Sequence, residues 1–135
     1  MTLYILIEMN EETISVSIGE LLDKLSILKI KKNKIKDCLK LRYVNSEFLH
    51  INEKSTEYLK NPKVKKLFKK IYKTNKILWD LEDKIRKKEK QNKFNNKFIE
   101  ISIKICETND LRFVIKNKIN QITNSKYKEQ KDYSV

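Results

Sequence analysis

Apolar residues recur along this chain at helical spacing, and the polar positions between them mark where each helix starts and stops. Short β-branched runs at 3–7 and 14–16 flank the polar MNEET, as a minimal hairpin or an extended lead-in. Ser17-Ile18-Gly19-Glu20 then fits a capping box. The Ser17 hydroxyl would accept from the Glu20 backbone N–H while the Glu20 side chain reaches back, with Val16 and Leu21 at the staple positions. A helix therefore starts at Ile18. Leu21, Leu25, Leu28, Ile35 and Leu39 follow a 3-4 spacing, interrupted at Lys32, and a break or a continuation fits Asp37 to Leu41 equally.

Val44, Phe48, Ile51 and Leu59 carry a weaker stripe on a second segment. Asn61-Pro62 stops and restarts the helix, because proline suits the first helical position and asparagine caps it. Val64, Leu67, Ile71, Leu78, Leu81 and Ile85 then mark a helix of about 30 residues, roughly 45 Å long. QNKFNN at 91–96 is a polar turn. A final helix runs from about Asn96 to Ile122, with Phe98, Ile101, Ile105, Ile115, Ile119 and Ile122 on one seam that keeps its register through Thr108 and Arg112. The last two helices are matched in length and closely joined, so they should form an antiparallel hairpin covered by the earlier segments. The pattern predicts one domain: an all-α antiparallel bundle of three or four helices over 17–123, after an extended lead-in (1–16) and before a loosely held polar tail (124–135).

At 135 residues the chain is long enough for one core without disulfides or metal. Its formal net charge of +13 invites a nucleic-acid reading, which would need the lysines at 63–76 and 84–97 on one continuous face. Composition weakens that reading. Ala is absent, Gly and Pro occur once each, and Arg is confined to Arg42, Arg86 and Arg112, while Lys, Asn and Ile abound. AT-rich coding produces that bias, and nucleic-acid proteins favour arginine for bidentate contacts. Cys38 and Cys106 are isolated, as expected of small core-type thiols in a reduced cytoplasmic chain. The start, MTLYILIEMNEE, is too short and lacks the basic flank for a signal peptide or membrane span.

Three constellations carry candidate chemistry. Glu20, Asp23 and Lys24 open the first helix, where acids suit the helix dipole. LWDLEDKIRKKE (78–89) sets Trp79, Glu82, Asp83, Arg86 and Glu89 beside an apolar stripe, with Asn75, Glu82 and Glu89 spaced by seven. Asn109, Asp110, Arg112 and Lys116 lie on the last helix, and Arg112 falls on its apolar seam. A guanidinium there needs a carboxylate. Alignment of the hairpin midpoints suggests Glu82 or Asp83 as that partner, with Arg112 at least half buried. Lone His50 with isolated cysteines makes no zinc site, and the single Gly19 excludes a glycine-rich phosphate loop. A carboxylate cluster for Mg²⁺ would require Glu20/Asp23 and Glu82/Asp83 to converge, and the repeated paired-acid motif of all-α pyrophosphatases is missing. No metal or other cofactor is implied.

SIGELLDKLSILKIK (17–31), LWDLEDKIRKKE (78–89), FIEISIKICETNDLRFVIKNKIN (98–120) and a tail with Glu129, Lys131 and Tyr133 resemble a bacterial family of small helical proteins of unknown function. The likeness spans most of residues 14–133, while 38–62 match nothing in it. Its pattern falls on Ser17, Gly19, Glu20, Asp23, Lys24, Trp79, Glu82, Asp83, Arg86, Asn109, Asp110, Arg112, Lys116 and Asn120. Some members accompany genes for cell-surface polysaccharide synthesis. The expected function is a helical binding or scaffold module for a protein partner or an anionic small molecule. An enzyme acting on a phosphorylated or nucleotide-type substrate is the alternative, with Arg86, Arg112 and Lys116 holding the anion and Glu82 or Asp83 as acid/base or metal ligand. A nucleic-acid-binding protein is the third class.

Overall fold

The structure, a computed structural model, describes residues 9–133. Four helices make up its regular structure: α1 (Ile18–Lys34), α2 (Cys38–Leu59), α3 (Pro62–Lys90) and α4 (Asn96–Ile122). Residues 9–17 form neither helix nor strand, so 14–16 supply no hairpin arm, and 3–7 lie outside the described residues. No helix among the described residues is long and apolar enough to cross a membrane.

Side-chain caps set each helix start. Ser17 Oγ accepts from the Glu20 N–H, Asp37 from Lys40, Asn61 from Lys63 and Asn95 from Phe98. Asp37 settles the ambiguous stretch as a break, with Ile35 extended after α1. That break restarts the helical phase, so Leu39 does not continue the α1 stripe and is exposed. Val16 is exposed too. Ser17→Ala should cost about 1 kcal/mol, the usual loss for an N-cap, read as a lower urea midpoint. An unshifted midpoint would show that the hydroxyl does not hold the first turn.

Asparagine takes glycine's usual place at two helix ends. Asn92 (φ 54°) and Asn124 (φ 51°) adopt the left-handed conformation just past α3 and α4. After α3, the Lys93 N–H donates to the Lys88 carbonyl at 2.9 Å and Asn92 to Glu89 at 3.0 Å. After α4, Ser125 donates to Asn120 at 2.9 Å and Asn124 to Gln121 at 3.3 Å. Both are Schellman motifs, and asparagine is the side chain that best tolerates the required positive φ. The second one turns the chain back over α1.

α1 and α3 each touch all three other helices, while α2 and α4 do not meet among the described residues. The buried surface of α1 is therefore wider than one stripe. Leu22, absent from the 3-4 pattern, is wholly buried beside Leu25, Val64, Leu67, Ile71, Ile115 and Ile119. The α3–α4 hairpin is the most extensive pairing, and Lys63, Lys66 and Lys70 of α3 share a groove with Lys118 of α4. The start of α3 thus lies beside the end of α4, the antiparallel arrangement expected. Cys38 and Cys106 are free and exposed, against the expectation of core thiols. Cys38 opens α2 next to its cap, where little packs over it.

Candidate functional site

The first turn of α1 docks against the last turns of α4. The Gly19 N–H donates to Asn120 Oδ1 at 2.7 Å, and Ile18 N–H donates to Ser125 Oγ at 3.1 Å. With Ser17 serving Glu20, the amides of Ile18, Gly19 and Glu20 at this helix start are taken by protein groups. Such close approach requires glycine: a Cβ on Gly19 would lie 2.5 Å from the Lys116 carbonyl oxygen and 2.9 Å from Asn120 Oδ1. The chain's one glycine serves helix packing.

One turn further, Asp23 is 1% exposed and still fully partnered. Arg112 grips it with both arms of its fork, Nε to Oδ1 at 2.9 Å and Nη2 to Oδ2 at 2.5 Å. Asn75 Nδ2 adds a bond to Oδ1 at 2.8 Å and another to Ser26 Oγ at 2.7 Å, and Ser26 donates to the Asp23 carbonyl. A buried carboxylate is tolerated only with such a set of donors. The hydrogen bond to Asp23 raises the Arg112 pKa against the opposing effect of burial, helped by the charges of Asp23, Glu20 and Glu129.

Lys116, one turn along α4, is 6% exposed and lies between Glu20 Oε2 at 2.6 Å and Glu129 Oε2 at 2.8 Å. The Glu20 carboxylate therefore serves α4, and the reciprocal half of the capping box is not formed. Burial works against the Lys116 charge, but hydrogen bonds with Glu129 and Glu20, and the charges of Glu20 and Asp23, outweigh it and raise its pKa. A folded-state pKa above the unfolded value stabilises fully below the unfolded value, near pH 10.4, and is lost as pH rises through the higher one. Stability should thus fall in that alkaline window, and Lys116→Met should lose this component of the fall. Identical alkaline profiles for the two proteins would contradict the pairing.

The tail reaches the same place. Ser125 is buried, Glu129 half-buried, and the Lys131 ammonium sits 5.0 Å from the Phe113 ring centroid and 5.2 Å from that of Tyr133. Ser125, Glu129 and Lys131 thus anchor the tail at three points, while the residues between them are exposed. Asn109, Arg112, Phe113, Lys116, Glu129 and Lys131 together line a polar depression of about 240 Å³. Only part of the Arg112 fork is spent on Asp23, so its other N–H groups remain available beside this hollow.

The remaining predicted residues do not join it. Arg112 has only 28% of its side chain exposed, as its seam position implies, but its partner is Asp23 and not Glu82 or Asp83. The hairpin register explains the correction. The α3 residue that meets Arg112's acceptor is Asn75, and Glu82 lies seven residues on, about 10 Å further along the axis. Glu82 pairs instead with Arg86 at 3.6 Å and Asp83 with Lys87 at 3.1 Å, within α3 and largely exposed, where such pairs contribute little. Glu20/Asp23 and Glu82/Asp83 do not converge, and among the described residues no three His, Cys, Asp or Glu gather as a metal cluster. Lys24 bonds Glu47 of α2 at 2.8 Å, half exposed. Trp79 and Asp110 are half-buried, and among the described residues Asp110 makes no ion pair. Ser26 and Ser125 were not among the candidates, Asn75 entered only by its spacing to Glu82 and Glu89, and Glu129 and Lys131 only through the family resemblance. Asn75 had a readable signal: it is a polar residue on the apolar line between Ile71 and Leu78. Compared with known proteins, the chain matches no family model, no curated protein and no solved structure.

Proposed function

We propose that the chain is a cytoplasmic helical binding or scaffold module, accessory to cell-surface polysaccharide synthesis as the family resemblance suggests. Its Asp23–Arg112 and Glu20–Lys116–Glu129 pairs hold α1, α4 and the tail together. The depression beside them receives an anionic group from a partner or small molecule. The observation that supports this reading is closure. Asp23 and Lys116 are buried and paired, which suits a framework better than a set of reacting groups, while Arg112 and Lys131 still border an open polar hollow. The acid/base pair that the enzyme alternative needs, Glu82 and Asp83, stands on another surface.

Thermal-shift and calorimetric titrations with orthophosphate, nucleoside diphosphates, sugar nucleotides and Mg²⁺ test it. An anion that binds should stabilise by about 1.4 kcal/mol at ten times its Kd. Lys131→Ala should abolish that gain while leaving the unliganded midpoint nearly unchanged. No shift with any probe would remove the anion half of the reading.

A second reading, nucleic-acid binding, is favoured by one other observation. Lys63, Lys66, Lys70 and Lys118 line a groove with Leu67, Gln121 and Ile122, and residues 58–79 hold no acid. Duplex affinity should then fall steeply with salt, by close to one power of salt concentration for each phosphate contacted. Salt-independent affinity, or none, would end it.

A further inference from the structure

The segment that matches nothing in the resembling family carries an apolar face with no partner among the described residues. α2 buries Val44 and Ser55 against the bundle. On the opposite side stand Leu39, Tyr43 and Leu49, exposed by 61%, 73% and 66%. Isolated exposed apolar residues are ordinary, but a row of them on one helix is not. Leu39, Arg42, Tyr43, Asn45 and Ser46, with Met9 from the lead-in, border a groove of about 540 Å³.

The charges on this helix are asymmetric. Its first half, Cys38–Ser46, holds Lys40 and Arg42 and no acid; its second half holds Glu47, Glu53 and Glu57 against Lys54. Glu47 is engaged by Lys24 and Glu57 by Lys60. Arg42 and Glu53 make no ion pair among the described residues. They are eleven residues apart, about three turns, so both fall on the outward line that carries the apolar row. A helix basic in its first half and acidic in its second is complementary to itself when reversed.

We infer that α2 is a self-association surface, pairing antiparallel with α2 of a second copy about a two-fold axis level with Glu47 and Phe48. In that arrangement Arg42 of each copy meets Glu53 of the other, giving two equivalent ion pairs. Leu49 of the second copy comes level with Ser46, whose small side chain leaves room for it in the groove next to Tyr43. A single helix pair is a small interface, so association depends on concentration. This inference is independent of the anion site, which lies on α4 and the tail.

Sedimentation equilibrium of the full chain, with circular dichroism to verify folding, tests it. Wild-type protein should reach twice the chain mass as concentration rises. Arg42→Glu and Glu53→Arg alone should each weaken the dimer about tenfold or more, because each sets like charges opposite twice. The double variant should restore it, and so should mixing the two single variants, whose heterodimer again pairs opposite charges at both ends. A spin label on Cys38, in a Cys106→Ser background, should report a separation of about 30 Å for the antiparallel pair, against about 10 Å for a parallel one. A chain that stays monomeric overturns the inference. So does a dimer indifferent to these charges, a short label distance, or a dimer lost only when residues 1–8 are deleted.

Discussion

Arg112→Met is expected to destabilise the fold by about 3–5 kcal/mol, the usual loss when one member of a buried ion pair is removed. The reason is what remains. Asp23, 1% exposed in the native fold, would keep Asn75 as its only side-chain donor among the described residues, with no cation bonded to it. Neutralising the acid as well, in Asp23→Asn/Arg112→Met, should recover most of the loss, since a neutral amide can share hydrogen bonds with Asn75 and Ser26. Glu82→Gln in the Arg112→Met background should recover nothing, because Glu82 belongs to Arg86 on the outer surface. Urea unfolding of the two double-mutant cycles gives both coupling energies. Strict additivity between positions 23 and 112 would mean that the fork does not hold the carboxylate.

Gly19→Ala should lower stability by about 2 kcal/mol, although alanine ordinarily gains about 1 over glycine in a helix. The new methyl would stand 2.5 Å from a backbone oxygen, that of Lys116, and a carbonyl cannot swing aside as a side chain can. α1 and α4 would have to separate. Separation lengthens the Gly19–Asn120 bond and disturbs the Glu20–Lys116 contact one residue away. The variant should therefore also lose its response to any anion bound beside Lys116. Thermal unfolding with and without such a ligand measures both effects, and a midpoint equal to or above wild type would contradict the close helix contact.

Each helix start predicted from a local signal was legible because capping is decided within four residues. Ser17, and Asn61 with Pro62, act on backbone groups of their own first turn, whatever surrounds them. The α1–α2 break was ambiguous because Asp37 can cap a new helix or sit within a continuing one; in the fold it caps α2, with Ile30 and Val44 buried on either side of the break. Arg112 showed the limit most clearly. Its seam position announced burial, and burial announced a carboxylate, but nothing local selects among the chain's acids.

By itself, then, the chain determined a bundle of three or four helices, the starts of α1 and α3, the α3–α4 hairpin, and the need of Arg112 for an acid. Period, capping and the demand of a buried charge are properties of neighbouring residues. Tertiary structure alone decided that Arg112 of α4 meets Asp23 of α1, and that Asn75 of α3 joins that carboxylate and Ser26. It also decided that Glu20 turns from its own cap to Lys116, and that the tail returns to complete the hollow. Those choices depend on the axial level and rotation at which helices pack, where a displacement of two turns exchanges Asn75 for Glu82. Such register is set by the fit of many side chains at once.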